Sequence, residues 1–132
     1  STVAQAADWA QQCLKKDWSA IPLIYSAVEP EQLKQIQARF GQQTAAKAFE
    51  VFFAALASLL VEAGVTRLIV AGGETSGAVI DGLRLDQLAI GPEIDPGVPA
   101  LRAGPNLVIA LKSGNFGAAE FFEKAAARLA KE

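Results

Sequence analysis

From Arg67 to Ile80 the sequence reads Arg-Leu-Ile-Val-Ala-Gly-Gly-Glu-Thr-Ser-Gly-Ala-Val-Ile, an apolar stretch that gives way to glycines and hydroxyl residues. This is the composition of a buried strand running into a turn that opens a helix, and such a turn can cradle a phosphate. Gly72, Gly73 and Gly77 carry no side chain to hold a bulky anion away from the backbone N–H groups. Thr75 and Ser76 add hydroxyl donors, and Glu74 adds a carboxylate. Gly72 and Gly77 have the GxxxxG spacing of a Walker loop, but Ala78 and Val79 stand where that motif needs its lysine and its Mg²⁺-binding hydroxyl. A cation that neutralises a bound phosphate must therefore come from another part of the fold or from a metal. The alternative is a tight strand-to-helix turn without a ligand.

A second turn of the same design follows the apolar residues 107–111. In Lys112-Ser-Gly-Asn-Phe-Gly117, Gly114 and Gly117 free the backbone, Asn115 can cap a helix, and Ser113 offers a hydroxyl. Lys112 is the candidate for the missing positive charge. Glu74 and Asp95 are expected in loops, where they could hold Mg²⁺ together with phosphate oxygens. Helix-cap and turn roles are the alternatives, since Asp95 precedes Pro96-Gly97. No residue presents itself as a general base for a sugar hydroxyl.

Composition removes several chemistries. There is no histidine and a single cysteine, Cys13, which excludes Ser-His-Asp and Cys-His nucleophiles, Cys/His zinc sites and internal disulfides. Cys13 falls on the apolar side of an expected helix, as a buried inert thiol. A net charge of −2 without a basic stripe argues against nucleic acid as a partner. The longest apolar run, residues 51–61, is too short to cross a bilayer, which takes about 20 residues. Methionine is absent, which suggests a piece of a longer polypeptide, with the cytoplasm as the default compartment.

These loops need a scaffold, and hydrophobic periodicity supplies one. Residues 1–16 place Val3, Ala6, Ala7, Ala10, Cys13 and Leu14 at helical spacing. Residues 21–26 read as a strand with Pro22 near its start and Ser26 at its C-terminal end. Pro30 opens a helix with Leu33, Ile36 and Phe40 as its stripe, and Gly41 closes it. Residues 42–63 form a helix apolar on more than one face, suited either to a central position or to packing on another domain or a second subunit. Residues 83–90 and 98–102 suggest two arms joined by the turn-rich Gly91–Gly97, and the last helix carries Phe121, Phe122, Ala125 and Leu129, with Glu120 and Lys124 as an i,i+4 pair. The alternation of strands and helices predicts one α/β domain over residues 1–132: a three-layer α/β/α sandwich with a mostly parallel sheet and a hairpin-like excursion. Ligands bind at the carboxyl ends of such strands, so the turns after Ala71 and Leu111, and Ser26, should open on one edge and grip one polyphosphate.

Three motifs in order, Ala71-Gly-Gly-Glu-Thr-Ser-Gly-Ala-Val79, Ile90-Gly-Pro-Glu-Ile-Asp-Pro-Gly-Val-Pro99 and Leu111-Lys-Ser-Gly-Asn-Phe-Gly117, resemble the C-terminal nucleotide-binding domain of the four-carbon acid sugar kinase family. The resemblance covers essentially the whole chain. It implies that the chain is the ATP-binding part of a two-domain kinase that phosphorylates the terminal hydroxyl of acids such as 3-oxo-tetronate, threonate or erythronate, with ATP and Mg²⁺ as cofactors. The acid-sugar site and most catalytic groups would then lie in a separate N-terminal domain. The family's ATP contacts fall on Ser26, on Gly72, Gly73, Glu74 and Thr75, and on the glycines of the turn after Lys112. Two departures stand beside these positions: Ala100 replaces a tryptophan common after the Val-Pro pair, and Ala27-Val28 replaces a serine or alanine and proline run. A non-catalytic module for a phosphorylated metabolite and a homodimerisation domain are the competing expectations.

Overall fold

Nine elements follow one another in the computed structural model of the chain, which describes residues 2–17, 21–25, 30–113 and 120–131. They are α1 (Thr2–Lys16), α2 (Pro30–Phe40), α3 (Gln42–Glu62), β1 (Arg67–Ala71), α4 (Gly73–Gly82), β2 (Ala89–Asp95), β3 (Val98–Arg102), β4 (Val108–Lys112) and α5 (Phe121–Leu129). The helices fall where periodicity placed them, and their ends have local causes. Gly64, at φ +105°, ends α3: its N–H donates to the Val61 carbonyl while Val65 N–H donates to Leu60, the paired bonds of a Schellman stop. At the end of α4 the same two bonds run from Arg84 to Asp81 and from Leu85 to Ile80, with Arg84 in the left-handed region at φ 56°.

The four strands lie in the order β1-β4-β3-β2. β1 pairs with β4 in parallel, Ala71 beside Lys112, whereas β3 is antiparallel to both β4 and β2. The sheet is thus mixed and not mostly parallel. The hairpin expected as an excursion is continuous with the sheet, because β3 pairs with β4 through Ala100, Leu101 and Arg102. Its first arm also lies later than expected: β2 starts at Ala89 and passes through the supposed loop to Asp95, absorbing Pro92 where the register shifts between Ile90 and Glu93. Asp95 is therefore the last residue of a strand and not a loop residue.

Side chains of β1 and β4 alternate between two clusters, as the pleat requires. Val108 and Ala110 join Ile94, Val98 and Ala100 around Phe121, Ala125 and Leu129 of α5, with Ile69 packed alongside. Leu68, Val70 and Leu111 join Val79 of α4 and Ala57 of α3. A third cluster ties α1 to α3 through Ala7, Ala10, Leu56 and Leu60. α3 meets α1, α2 and α4, which accounts for its apolar excess, and at its contact with α4 a Cβ on Gly82 would stand only 3.0 Å from Ala54 Cβ. The side chains of Leu33, Ile36 and Phe40 lie outside the described residues.

One expected strand does not form. Residues 21–25 join no ladder, and Ile21, Leu23 and Tyr25 are exposed. Ile24 packs on the α1–α3 cluster. A strand buried on both faces needs cover on each, and here one face stays open.

Candidate functional site

Gly72 turns the chain out of β1 and into α4. It is the N-cap, at φ 105° and ψ 128°, a region that side-chain-bearing residues avoid, and its N–H donates to the Lys112 carbonyl at 2.7 Å. Its own carbonyl accepts from Ser76 N–H at 2.8 Å, the first bond of the helical ladder. The N–H groups of Gly73, Glu74 and Thr75 precede that bond, and no side chain caps the helix. Three donors and the positive end of α4 therefore meet at the carboxyl end of β1.

The second exit lies beside the first. Because β1 and β4 run parallel with Ala71 level with Lys112, Ser113 leaves the sheet next to Gly73, where a Cβ added to the glycine would be 3.9 Å from Ser113 Cβ. The chain therefore leaves β1 and β4 on one edge. Thr75 Oγ1 lies close to Gly72, 3.6 Å from where a Cβ would stand. Ser76 is only 9% exposed and its Oγ has no partner among the described residues. Gly77 lies one step further into α4 with open space where a side chain would project. Ser26, Gly114, Asn115 and Gly117 fall outside the described residues.

Lys112 ends β4 with its ammonium 5.9 Å from the centroid of the Phe121 ring. Since Leu111 points to the α3–α4 side, the next residue points to the α5 side, which is where Phe121 lies.

Glu74 and Asp95 are not brought together. Glu74 is exposed in the first turn of α4, at the three free donors. Asp95 is level with Val98, and extending the β3–β4 register by two residues sets Val98 beside Lys112, so Asp95 reaches the same edge three strands from β1. At strand spacing that is about 14 Å away. Asp95 is 8% exposed, its Oδ1 accepts from Lys124 Nζ at 2.5 Å, and its Oδ2 is buried without a partner among the described residues. No group of three or more Asp, Glu, Cys or His that could hold a metal occurs among the described residues.

Lys124 is the residue that periodicity misassigned: its ammonium serves Asp95, 29 positions away, and not Glu120. Phe121 was legible as core but not as the ring beneath Lys112. Replacing Lys124 with Met leaves a buried carboxylate uncompensated and should cost about 1–3 kcal/mol in urea unfolding. Lys47→Met, at an exposed i,i+3 pair, should cost well under 1 kcal/mol and serves as the control. Equal effects of the two would mean that the Asp95–Lys124 pair holds nothing in place.

Comparison with known proteins fits this geometry. A family model described as the nucleotide-binding C-terminal domain matches residues 1–122. The chain belongs to this family. Among curated relatives of this nucleotide-binding domain, the 3-oxo-tetronate kinase of Brucella melitensis is 53% identical over 105 residues, which are 79% of this chain and 24% of that protein. The 3-oxo-tetronate kinase of Pectobacterium atrosepticum is 44% identical over 126 residues, 95% of this chain and 29% of the relative. A crystal structure of a Haemophilus influenzae protein superposes with a TM-score of 0.84 at 43% identity, over 96% of this chain and 31% of the other. The chain spans less than a third of the length of these relatives.

Proposed function

We propose that the chain binds ATP at the joined exits of β1 and β4, as the nucleotide-binding part of a kinase that passes the γ-phosphoryl group to the terminal hydroxyl of a four-carbon sugar acid. One observation carries this reading: three uncapped N–H groups at the start of α4 open directly beside Ser113 on one sheet edge. Strand side chains that alternate between an α5 cluster and an α3–α4 cluster support a three-layer arrangement, in which this edge is the natural ligand crevice. The curated relatives named 3-oxo-tetronate kinase support the acceptor class.

In this scheme the chain's own contribution is positioning. Gly73, Glu74 and Thr75 donate N–H bonds to phosphate oxygens, the hydroxyls of Thr75 and Ser113 add donors, and Ser26, Gly114, Asn115 and Gly117 complete the grip. Lys112 supplies positive charge from the end of β4. Glu74 at the cradle fits a magnesium ion that takes one carboxylate and phosphate oxygens, whereas Asp95 is already engaged by Lys124. The bound ion would neutralise phosphate charge during transfer. The acceptor and its base belong to another domain, so the chain alone should bind nucleotide and turn over little or no substrate.

Calorimetric titration with ATP·Mg and with inorganic phosphate tests the reading. ATP·Mg should bind at least about tenfold more tightly, a difference of roughly 1.4 kcal/mol. Equal affinity would favour a non-catalytic module for phosphorylated metabolites. Binding of neither would remove the cradle.

A further inference from the structure

We propose that Lys124 guards the charge of Lys112: by holding Asp95, it keeps that carboxylate from drawing the Lys112 ammonium away from the phosphate site. The proposal rests on the reading of Lys112 as the cation at the cradle. It makes Lys124 and Asp95 positioning residues that touch no ligand themselves.

Three charged side chains share one face of the ligand edge. Lys112 points to the α5 side, its ammonium 5.9 Å from the centroid of the Phe121 ring. Asp95 ends β2 and bonds Lys124 of α5, so its side chain lies on that side as well. Only β3 separates their strands, since Val98 is level with Asp95 and falls beside Lys112. Two strand spacings set the two Cα atoms about 10 Å apart. An extended lysine carries its nitrogen roughly 6 Å from Cα and an aspartate its oxygens roughly 3.5 Å, so an ion pair between the two is within reach.

A lysine stem is flexible, and its ammonium goes to the anion that holds it best. Asp95 is a strong competitor for it. The carboxylate is 8% exposed, so water and salt screen it little, and its Oδ2 has no partner among the described residues. What occupies the carboxylate is Lys124, whose Nζ donates to Oδ1 at 2.5 Å. Lys124 lies one turn after Phe121 in α5 and approaches Asp95 from the helix, where it lines a shallow cleft with Ile94. Asp95 is thereby neutralised, and Lys112 stays by the ring, level with Ala71 and next to the cradle. A buried ion pair adds little net stability, because two apolar side chains in its place often do as well. Its presence at this edge is accounted for by the anion that it removes from the surroundings of Lys112.

Calorimetric titration of the chain with ATP·Mg, with folding checked by urea unfolding, tests the guard through effects of opposite sign. Lys124→Met should lower ATP affinity about tenfold. Lys124→Gln, which can still donate to Oδ1 but carries no charge, should lower it too. Adding Asp95→Asn to either variant should restore affinity to within about twofold, and Asp95→Asn by itself should not lower it. In a Lys112→Met background neither Lys124 variant should cost anything further. A second readout needs no nucleotide: the ring-current shift that Phe121 imposes on the Lys112 ε-methylene should shrink in Lys124→Met and return with Asp95→Asn. Unchanged ATP affinity in a folded Lys124→Met variant would overturn the proposal. So would lost affinity in Asp95→Asn, or an equal loss from Lys124→Met in the Lys112→Met background, since the pair would then merely hold α5 in place. If the unaltered chain binds no ATP, the cradle reading fails and the ring-current shift decides: unchanged in Lys124→Met it sinks the guard, and lost then restored it sustains it.

Discussion

Gly73→Val should weaken ATP·Mg binding by at least about a hundredfold, roughly 2.7 kcal/mol, while the unfolding free energy changes by less than about 1 kcal/mol. The asymmetry follows from where Gly73 sits. It is the first residue of α4, its φ is not positive, and a Cβ would meet Ser113 Cβ at an ordinary 3.9 Å. The backbone thus accepts a side chain, and alanine at this position should fold normally. Valine extends two methyl groups about 1.5 Å further, into the space between the two exits where the free N–H groups converge. Gly72 is the wrong position for this experiment: at φ 105° any side chain strains the backbone by about 1–3 kcal/mol, so lost binding there could reflect a distorted turn. Calorimetry and urea unfolding on Gly73→Ala and Gly73→Val together isolate the ligand's space from the fold. Unchanged ATP affinity in the valine variant would place the phosphates elsewhere.

The edge that carries this prediction was legible because its signals are local. A run of β-formers ending at Ala71, glycines at the exit and a helix after them need no tertiary information, and the parallel pairing of β1 with β4 follows from two such units in one sheet. What sequence could not show is which strands are neighbours. Glu93 and Ile94 read as loop because glycine and proline precede and follow them, yet β3 supplies a partner, and bulges absorb the mismatch. Asp95 and Lys124 illustrate the same limit for charges: helical spacing offered Glu120 as the partner, and only packing of α5 across β2 makes Asp95 nearer. Ile21 to Tyr25 has strand composition without a strand in the structure, because pairing depends on whether β1's free edge is reached, a question of tertiary contact and not of propensity.

Phe121→Ala should cost about 3–5 kcal/mol, among the largest stability losses expected from a single truncation at the described residues. The ring is 2% exposed and sits in the cluster built from β2, β3 and β4, so its removal leaves a cavity under the start of α5 that alanines at 100, 110 and 125 are too small to fill. Against a typical domain stability of 5–15 kcal/mol this is a large fraction, and the urea midpoint should fall accordingly. The same ring lies 5.9 Å from the Lys112 ammonium, which links the core to the proposed phosphate site. Phe121→Leu separates the two roles: it keeps most of the volume and should cost no more than about 1.5 kcal/mol, but it removes the aromatic face. A cation–π contact at a partly exposed site is worth about 0.5–1 kcal/mol, so ATP affinity in the leucine variant should change by about two- to fivefold if the ring orients Lys112 toward the phosphates. A leucine variant that folds and binds ATP like the unaltered chain would reduce Phe121 to packing alone, and would leave Lys112 to find its position by the strand end that carries it.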